Sequence, residues 1–98
     1  MTMGIFERFR KRDPREVERE RREFLLTKGR ITDGRIIDND TNARGEEIVF
    51  YLYTLNGVDF ESSELLTEEQ RRDLLKYAPG MKIGVRYDPK NQGNSMLE

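Results

Sequence analysis

Gly80-Met81-Lys82-Ile83-Gly84-Val85-Arg86-Tyr87-Asp88-Pro89-Lys90-Asn91 is the stretch that decides the fold. Met81, Ile83, Val85 and Tyr87 alternate with Lys82, Gly84 and Arg86, the period of a strand with one buried face. Asp88-Pro89 ends it, because proline presets a turn dihedral and donates no backbone hydrogen bond. Residues 94–97 then have room for a short closing strand. Strand, locked turn and return are the grammar of a small antiparallel β-domain.

Upstream, Pro79-Gly80 terminates a helix that Thr67 caps, with Gln70 completing a capping box and Leu74 and Leu75 expected to face inward. Before that helix, residues 47–55 are dense in β-branched and aromatic side chains. Asn56-Gly57 is the favoured two-residue type I′ turn, so residues 58–63 return antiparallel. Such a turn fixes the register, placing Leu55 opposite Val58, Tyr53 opposite Phe60 and Tyr51 opposite Ser62. The predicted core face is Tyr51, Tyr53, Leu55, Val58 and Phe60. Gly34-Arg35-Ile36-Ile37 is the heart of a first strand starting near Arg30, and residues 38–45 read as a polar loop. Asp13 as N-cap, Pro14 at the first helical position and Glu16 in a capping box open another helix, reaching about Leu26. Its apolar stripe is only Val17, Phe24 and Leu25, and Glu18 with Arg22 adds an i,i+4 pair.

Together these elements predict a mainly β (α+β) fold: a small, partly open antiparallel barrel of four or five strands. One helix is inserted and a charged helix precedes it. The expected division is a basic arm and helix over residues 1–28, then a barrel domain over residues 29–98. Ninety-eight residues suit one domain with a small core. With no cysteine and no histidine, disulfides, thiolate metal sites and the commonest general base are missing from the chemistry. The longest apolar run, residues 48–55, is far short of the roughly 20 needed to span a bilayer. No secretory core segment stands near residue 1, so the expectation is a soluble cytoplasmic protein. Its charge is uneven: residues 1–30 carry ten Lys/Arg and six Asp/Glu, residues 31–98 eight and thirteen.

Several positions together resemble the bacterial family domain of unknown function 3592 over about residues 30–97. They are Gly34-Arg35-Ile36, Val49 with Tyr51 and Tyr53, Asn56-Gly57, Phe60, Tyr77 with Gly80, and Val85-Arg86-Tyr87-Asp88-Pro89 with Asn91 and Ser95. Gly34, Asn56, Gly57, Gly80, Tyr87, Asp88 and Pro89 act as its structural signature, and Gln92 stands where the family often has proline. The resemblance implies a small β-domain of no assigned activity, often found beside membrane helices, and supplies no catalytic residues.

Candidate chemistry is sparse. Asp38-Asn39-Asp40-Thr41-Asn42 starts like a calcium loop, but Ala43 and Val49 occupy the positions needing glycine and glutamate, so it reads as a solvated loop. Asp88 beside Tyr87 reads as a turn carboxylate rather than an acid/base pair, and no nucleophile–base set is visible. No catalytic residue, cofactor or metal site is expected, and the protein is read as a non-enzyme. Single-strand nucleic-acid binding would need exposed rings in a basic groove. Here Tyr51, Tyr53 and Phe60 point inward in an acidic domain, so nucleic acid ranks last, resting on the arm and on Arg30, Arg35 and Arg86.

The outer face of the hairpin is more telling. Ile48, Phe50 and Leu52 are apolar where a solvated face would be polar. Three covers are open: the N-terminal helix laying Val17, Phe24 and Leu25 across it; a protein partner or second copy; or a second core lobe around Leu74 and Leu75. In residues 1–12, Ile5, Phe6 and Phe9 with Arg10, Lys11 and Arg12 suit a weak, reversible contact with an anionic membrane, or a basic tail. The expected role is a protein-interaction module, with a peripheral membrane adaptor as the alternative.

Overall fold

The computed structural model describes residues 13–98. Helix α1 (Pro14–Lys28) leads into strands β1 (Arg30–Thr41), β2 (Glu47–Leu55) and β3 (Val58–Leu65). A one-turn helix α2 (Glu68–Arg71) and a 3-10 turn (Leu74–Tyr77) precede β4 (Lys82–Asp88) and β5 (Asn91–Leu97). All pairings are antiparallel, in the order β3-β2-β1-β4-β5. The outer strands β3 and β5 approach each other, so the sheet curls into a nearly closed barrel.

Local chemistry explains each element. Asn56 and Gly57 adopt φ of 51° and 81°, the left-handed pair of a type I′ turn. The predicted register follows: Leu55 opposite Val58, Tyr53 opposite Phe60, Tyr51 opposite Ser62. Inside, the ring of Tyr53 stacks on Phe60 at 5.3 Å, Tyr51 at 6.1 Å and Tyr87 at 6.5 Å. Ile36, Val49, Ile83, Val85 and Leu97 fill the space around these rings. At the β4–β5 turn, Asp88 Oδ1 accepts the Lys90 N–H at 2.9 Å, the turn role expected of an Asp-Pro step.

Four expectations are corrected. First, residues 38–41 are strand, not loop: Asn39, Asp40 and Thr41 pair with Val49, Ile48 and Glu47. On the β1 side of this end all of residues 37–41 are exposed, so no alternation marks them, although Val49 opposite Asn39 is core. The true turn is tightened by Asn42, whose side-chain oxygen accepts the N–H groups of Arg44 and Glu46, both at 2.9 Å. Second, Leu74 and Leu75 face out, Leu75 with 80% of its surface exposed. The capping box of Thr67 and Gln70 forms as expected, but α2 stops after one turn. The tighter 3-10 winding then shifts the phase, and Tyr77 turns inward instead. Third, Val58 and Met81 are exposed, because each sits at a strand end beyond the core, whereas Phe60 and Tyr87 pack against it. Fourth, Asp13 caps α1 by accepting the Arg15 N–H at 2.9 Å, while Glu16 turns toward Arg19 at 3.7 Å rather than back to the cap.

Gly34 lies where β1 is squeezed between β2 and β4. A Cβ there would come within 2.6 Å of Val85 Cγ2 and 3.0 Å of the Leu52 carbonyl oxygen. Gly34→Ala is therefore expected to lower the unfolding free energy by about 1–3 kcal/mol, read from the urea midpoint. A variant as stable as the wild type would show that the strands can part without cost.

Candidate functional site

Two surfaces carry more chemistry than the fold requires. The first is the outer face of β1–β3. Residues facing out from β2 are Ile48, Phe50 and Leu52, opposite Leu65, Ser63 and Glu61 of β3. On β1 a bulge between Ile36 and Asp38 pushes the extra residue, Ile37, onto the surface. Ile37, Phe50 and Leu65 keep 41%, 36% and 46% of their surface in water. Ile37 and Phe50 floor an open groove of about 450 Å³, with Asp38, Glu61 and Ser63 on its walls. Asp40 adds a further carboxylate opposite Ile48. The face is an apolar strip whose rim is acidic around Ile48 and Phe50, with Arg35 as a basic neighbour of Leu52.

The second surface is the seam where β3 meets β5. Backbone pairing does not close it; side chains do. Glu64 points inward from β3, and its carboxylate accepts the Leu97 N–H of β5 at 3.3 and 3.4 Å. Arg22 of α1 reaches that carboxylate at 3.3 Å. Arg21 donates to the Ser95 carbonyl and to Asn94 Oδ1 at 3.1 Å, while Glu18 holds its guanidinium from behind at 2.8 and 2.9 Å. Inside the barrel, Tyr51 Oη and Ser95 Oγ share a hydrogen bond at 2.7 Å, and Tyr53 Oη donates to the Gln92 carbonyl. Helix α1 thus acts as a clasp over the open edge, with Leu25 buried where α1 meets β4 and β5.

Burial governs the electrostatics of the clasp. Desolvation pushes the Glu64 carboxyl above the usual carboxylate range, against the pull of Arg22 and the Leu97 N–H. The Arg21 hydrogen bond instead holds Glu18 below that range. Burial raises the Tyr51 and Tyr53 phenols, keeping them protonated. Among the described residues, no buried side-chain polar atom lacks a partner. The seam is a set of mutually satisfied groups, so its chemistry is that of a fastener.

The β4–β5 hairpin places Tyr87, Asp88 and Asn91 around its turn and Ser95 at the seam, with Gly34 and Asn56-Gly57 in their predicted places. A family model described as Domain of unknown function (DUF3592) matches residues 27–98. The chain belongs to this family. The DUF3592 match covers the whole barrel and starts near the last residues of α1. Comparison with curated proteins and with solved structures returns no match.

Measured against this geometry, the predicted interaction residues divide into two groups that the fold keeps apart. Ile48, Phe50 and Leu52 share the outer face, Ile48 and Leu52 half-buried in it. Val17 and Phe24 are exposed on α1, and Leu25 is buried against the other side of the barrel. The helix is therefore not the cover of the hairpin face, because its arginines and Leu25 are engaged at the seam. Nor is that face a second core lobe, since Leu74 and Leu75 are themselves in solvent. Ile5, Phe6, Phe9, Arg10, Lys11 and Arg12 lie outside the described residues. Arg30 and Arg35 fall on opposite faces of β1, and Arg86 is paired with Glu98 at 2.7 Å, so the three do not form one basic patch. No cluster of potential metal ligands occurs among the described residues.

Sequence reasoning missed Ile37 and Leu65 on the face and Arg21, Arg22, Glu64 and Ser95 at the seam. Leu65 was within reach, since extending the alternation of Glu61 and Ser63 by two residues arrives at it. Glu64 carried a signal as well, as a charge on the inward parity of a strand. The bulge that exposes Ile37 left no mark in the sequence.

Proposed function

We propose that the protein is an interaction module whose docking surface is the outer face of β1–β3. The observation that supports this reading is the apolar strip of Ile37, Phe50 and Leu65, left in solvent among the described residues while α1 is engaged elsewhere. A folded domain with an ordinary core gains nothing from three large apolar side chains left in water on one outer face. The acidic rim of Asp38, Asp40 and Glu61 favours a partner segment carrying basic residues around an apolar anchor.

A photo-reactive phenylalanine analogue introduced at Leu65 tests this in cells expressing the full chain. The same analogue at Leu75, more exposed but remote from the groove, is the control. Adducts of defined mass are expected from position 65 and not from position 75. Equal labelling at both positions, or none at either, would remove the support for a docking face.

A further inference from the structure

We propose that the occupant of this face is residues 1–12 of a second copy of the chain, exchanged reciprocally to form a two-fold dimer. The inference rests on the reading of the face as a docking surface and adds the identity of what docks.

Chemistry and placement carry it. Residues 1–12 hold Ile5, Phe6 and Phe9 as apolar anchors, and Arg8, Arg10, Lys11 and Arg12 against a single acid, Glu7. The groove offers the complement: Ile37 and Phe50 as an apolar floor, and Asp38, Glu61 and Asp40 as the rim. Opposite charges flanking apolar contacts set orientation and speed encounter.

The exposed first half of α1 is where exchange between copies would begin. Residues 14–20 of α1 are exposed throughout, so the first half of the helix is not buried against its own barrel. The second half is fastened to the seam by Arg21, Arg22 and Leu25, on the β4–β5 side. The packed half of α1 thus holds to the seam, and the half that residues 1–12 precede makes no buried contact with the barrel. Reciprocal exchange makes two identical contacts, so each needs only about half of the roughly 1,200–2,000 Å² buried in a stable complex.

The test is light scattering coupled to size exclusion on the full chain across a concentration series. Three variants accompany it: Phe6→Asp with Phe9→Asp in the arm, and Phe50→Asp or the milder Phe50→Thr on the face. The wild type is expected to rise from 11.6 kDa toward twice that mass. Each variant should weaken dimerisation at least about tenfold while keeping a native circular dichroism spectrum; tenfold corresponds to about 1.4 kcal/mol. The decisive step is mixing the arm variant with a face variant. Together they own one intact arm and one intact face, so the mixture should dimerise more tightly than either alone. A wild type that stays monomeric, or a mixture no better than its components, overturns exchange between copies. A dimer that survives the arm substitutions but not those at Phe50 refutes this occupant and leaves the docking face standing. If Phe50→Thr unfolds the chain, the face is core and both readings fall.

Discussion

Tyr51→Ala is expected to remove about 3–5 kcal/mol from the unfolding free energy, the largest single effect in the molecule. Tyr51 is wholly buried, stacks on Tyr53, and closes the barrel interior by its hydrogen bond to Ser95. Truncation leaves a cavity in a small core and strands the Ser95 hydroxyl. A domain of this size is held by about 5–15 kcal/mol, so the loss is about a fifth of the total or more. At about 4–8 °C per kcal/mol, the thermal midpoint should fall by roughly 12–40 °C. Tyr51→Phe separates the two contributions: it keeps the ring and loses only the hydroxyl, for an expected cost of about 1 kcal/mol. If Tyr51→Ala cost no more than Tyr51→Phe, the ring would not be the centre of the core.

Arg22→Ala is the second large effect, and its pH dependence identifies the cause. Glu64 keeps only 4% of its side chain in water and relies on Arg22 to offset its buried charge. Removing one partner of a buried pair costs about 3 kcal/mol when the other stays charged. Glu64 already has a raised pKa, with desolvation as the main cause, so the folded state binds its proton more tightly than the unfolded chain does. Its contribution to stability is therefore full below the unfolded carboxylate pKa and is lost as pH rises through the folded value. Without Arg22 that folded value climbs further. The stability difference between Arg22→Ala and wild type should be largest near pH 7–8 and shrink as the pH falls toward about 5. Glu18, lowered chiefly by Arg21 and less by Arg22 at 3.8 Å, contributes with the opposite sign, and Arg22→Ala removes only the smaller part of that contribution. Glu64→Gln keeps an acceptor for the Leu97 N–H without the charge. It should lie within about 1 kcal/mol of wild type at pH 7, with no loss of stability through the carboxylate window. A pH-independent Arg22→Ala defect would mean that Arg22 acts by contact alone.

Much of the barrel could be read from the residues, for physical reasons that differ by element. Asn56-Gly57 admits essentially one turn, and one turn admits one register, so the Tyr51–Phe60 face followed directly. The alternation of Ile83, Val85 and Tyr87 has the same force, because one side of that strand is core and the other is not. Residues 38–41 failed because both sides of that strand are in water, which erases the period on which the reading depends. Leu74 and Leu75 failed because a 3-10 turn replaced an α-helical one, a choice made by tertiary packing around Tyr77. At the candidate site, Phe50 was visible as an apolar residue on a polar parity. The seam was not. Its fasteners, Arg21, Arg22, Glu64 and Ser95, come from three elements far apart in sequence, and nothing local in any of them names the others.

Helix α1 is clasped over the seam while the β1–β3 face of the monomer stays open, and the absence of cysteine allows a direct test of both. Single thiols placed by Phe50→Cys and Leu25→Cys would be followed for their rate of maleimide labelling in dilute native full-length protein. Position 50 is expected to react near the rate of an unstructured thiol, and position 25 at least about 100-fold more slowly, gated by local opening of the helix. Protection at position 50, or equal rates at the two positions, would contradict the account, the first by showing the face covered and the second by showing the clasp unmade.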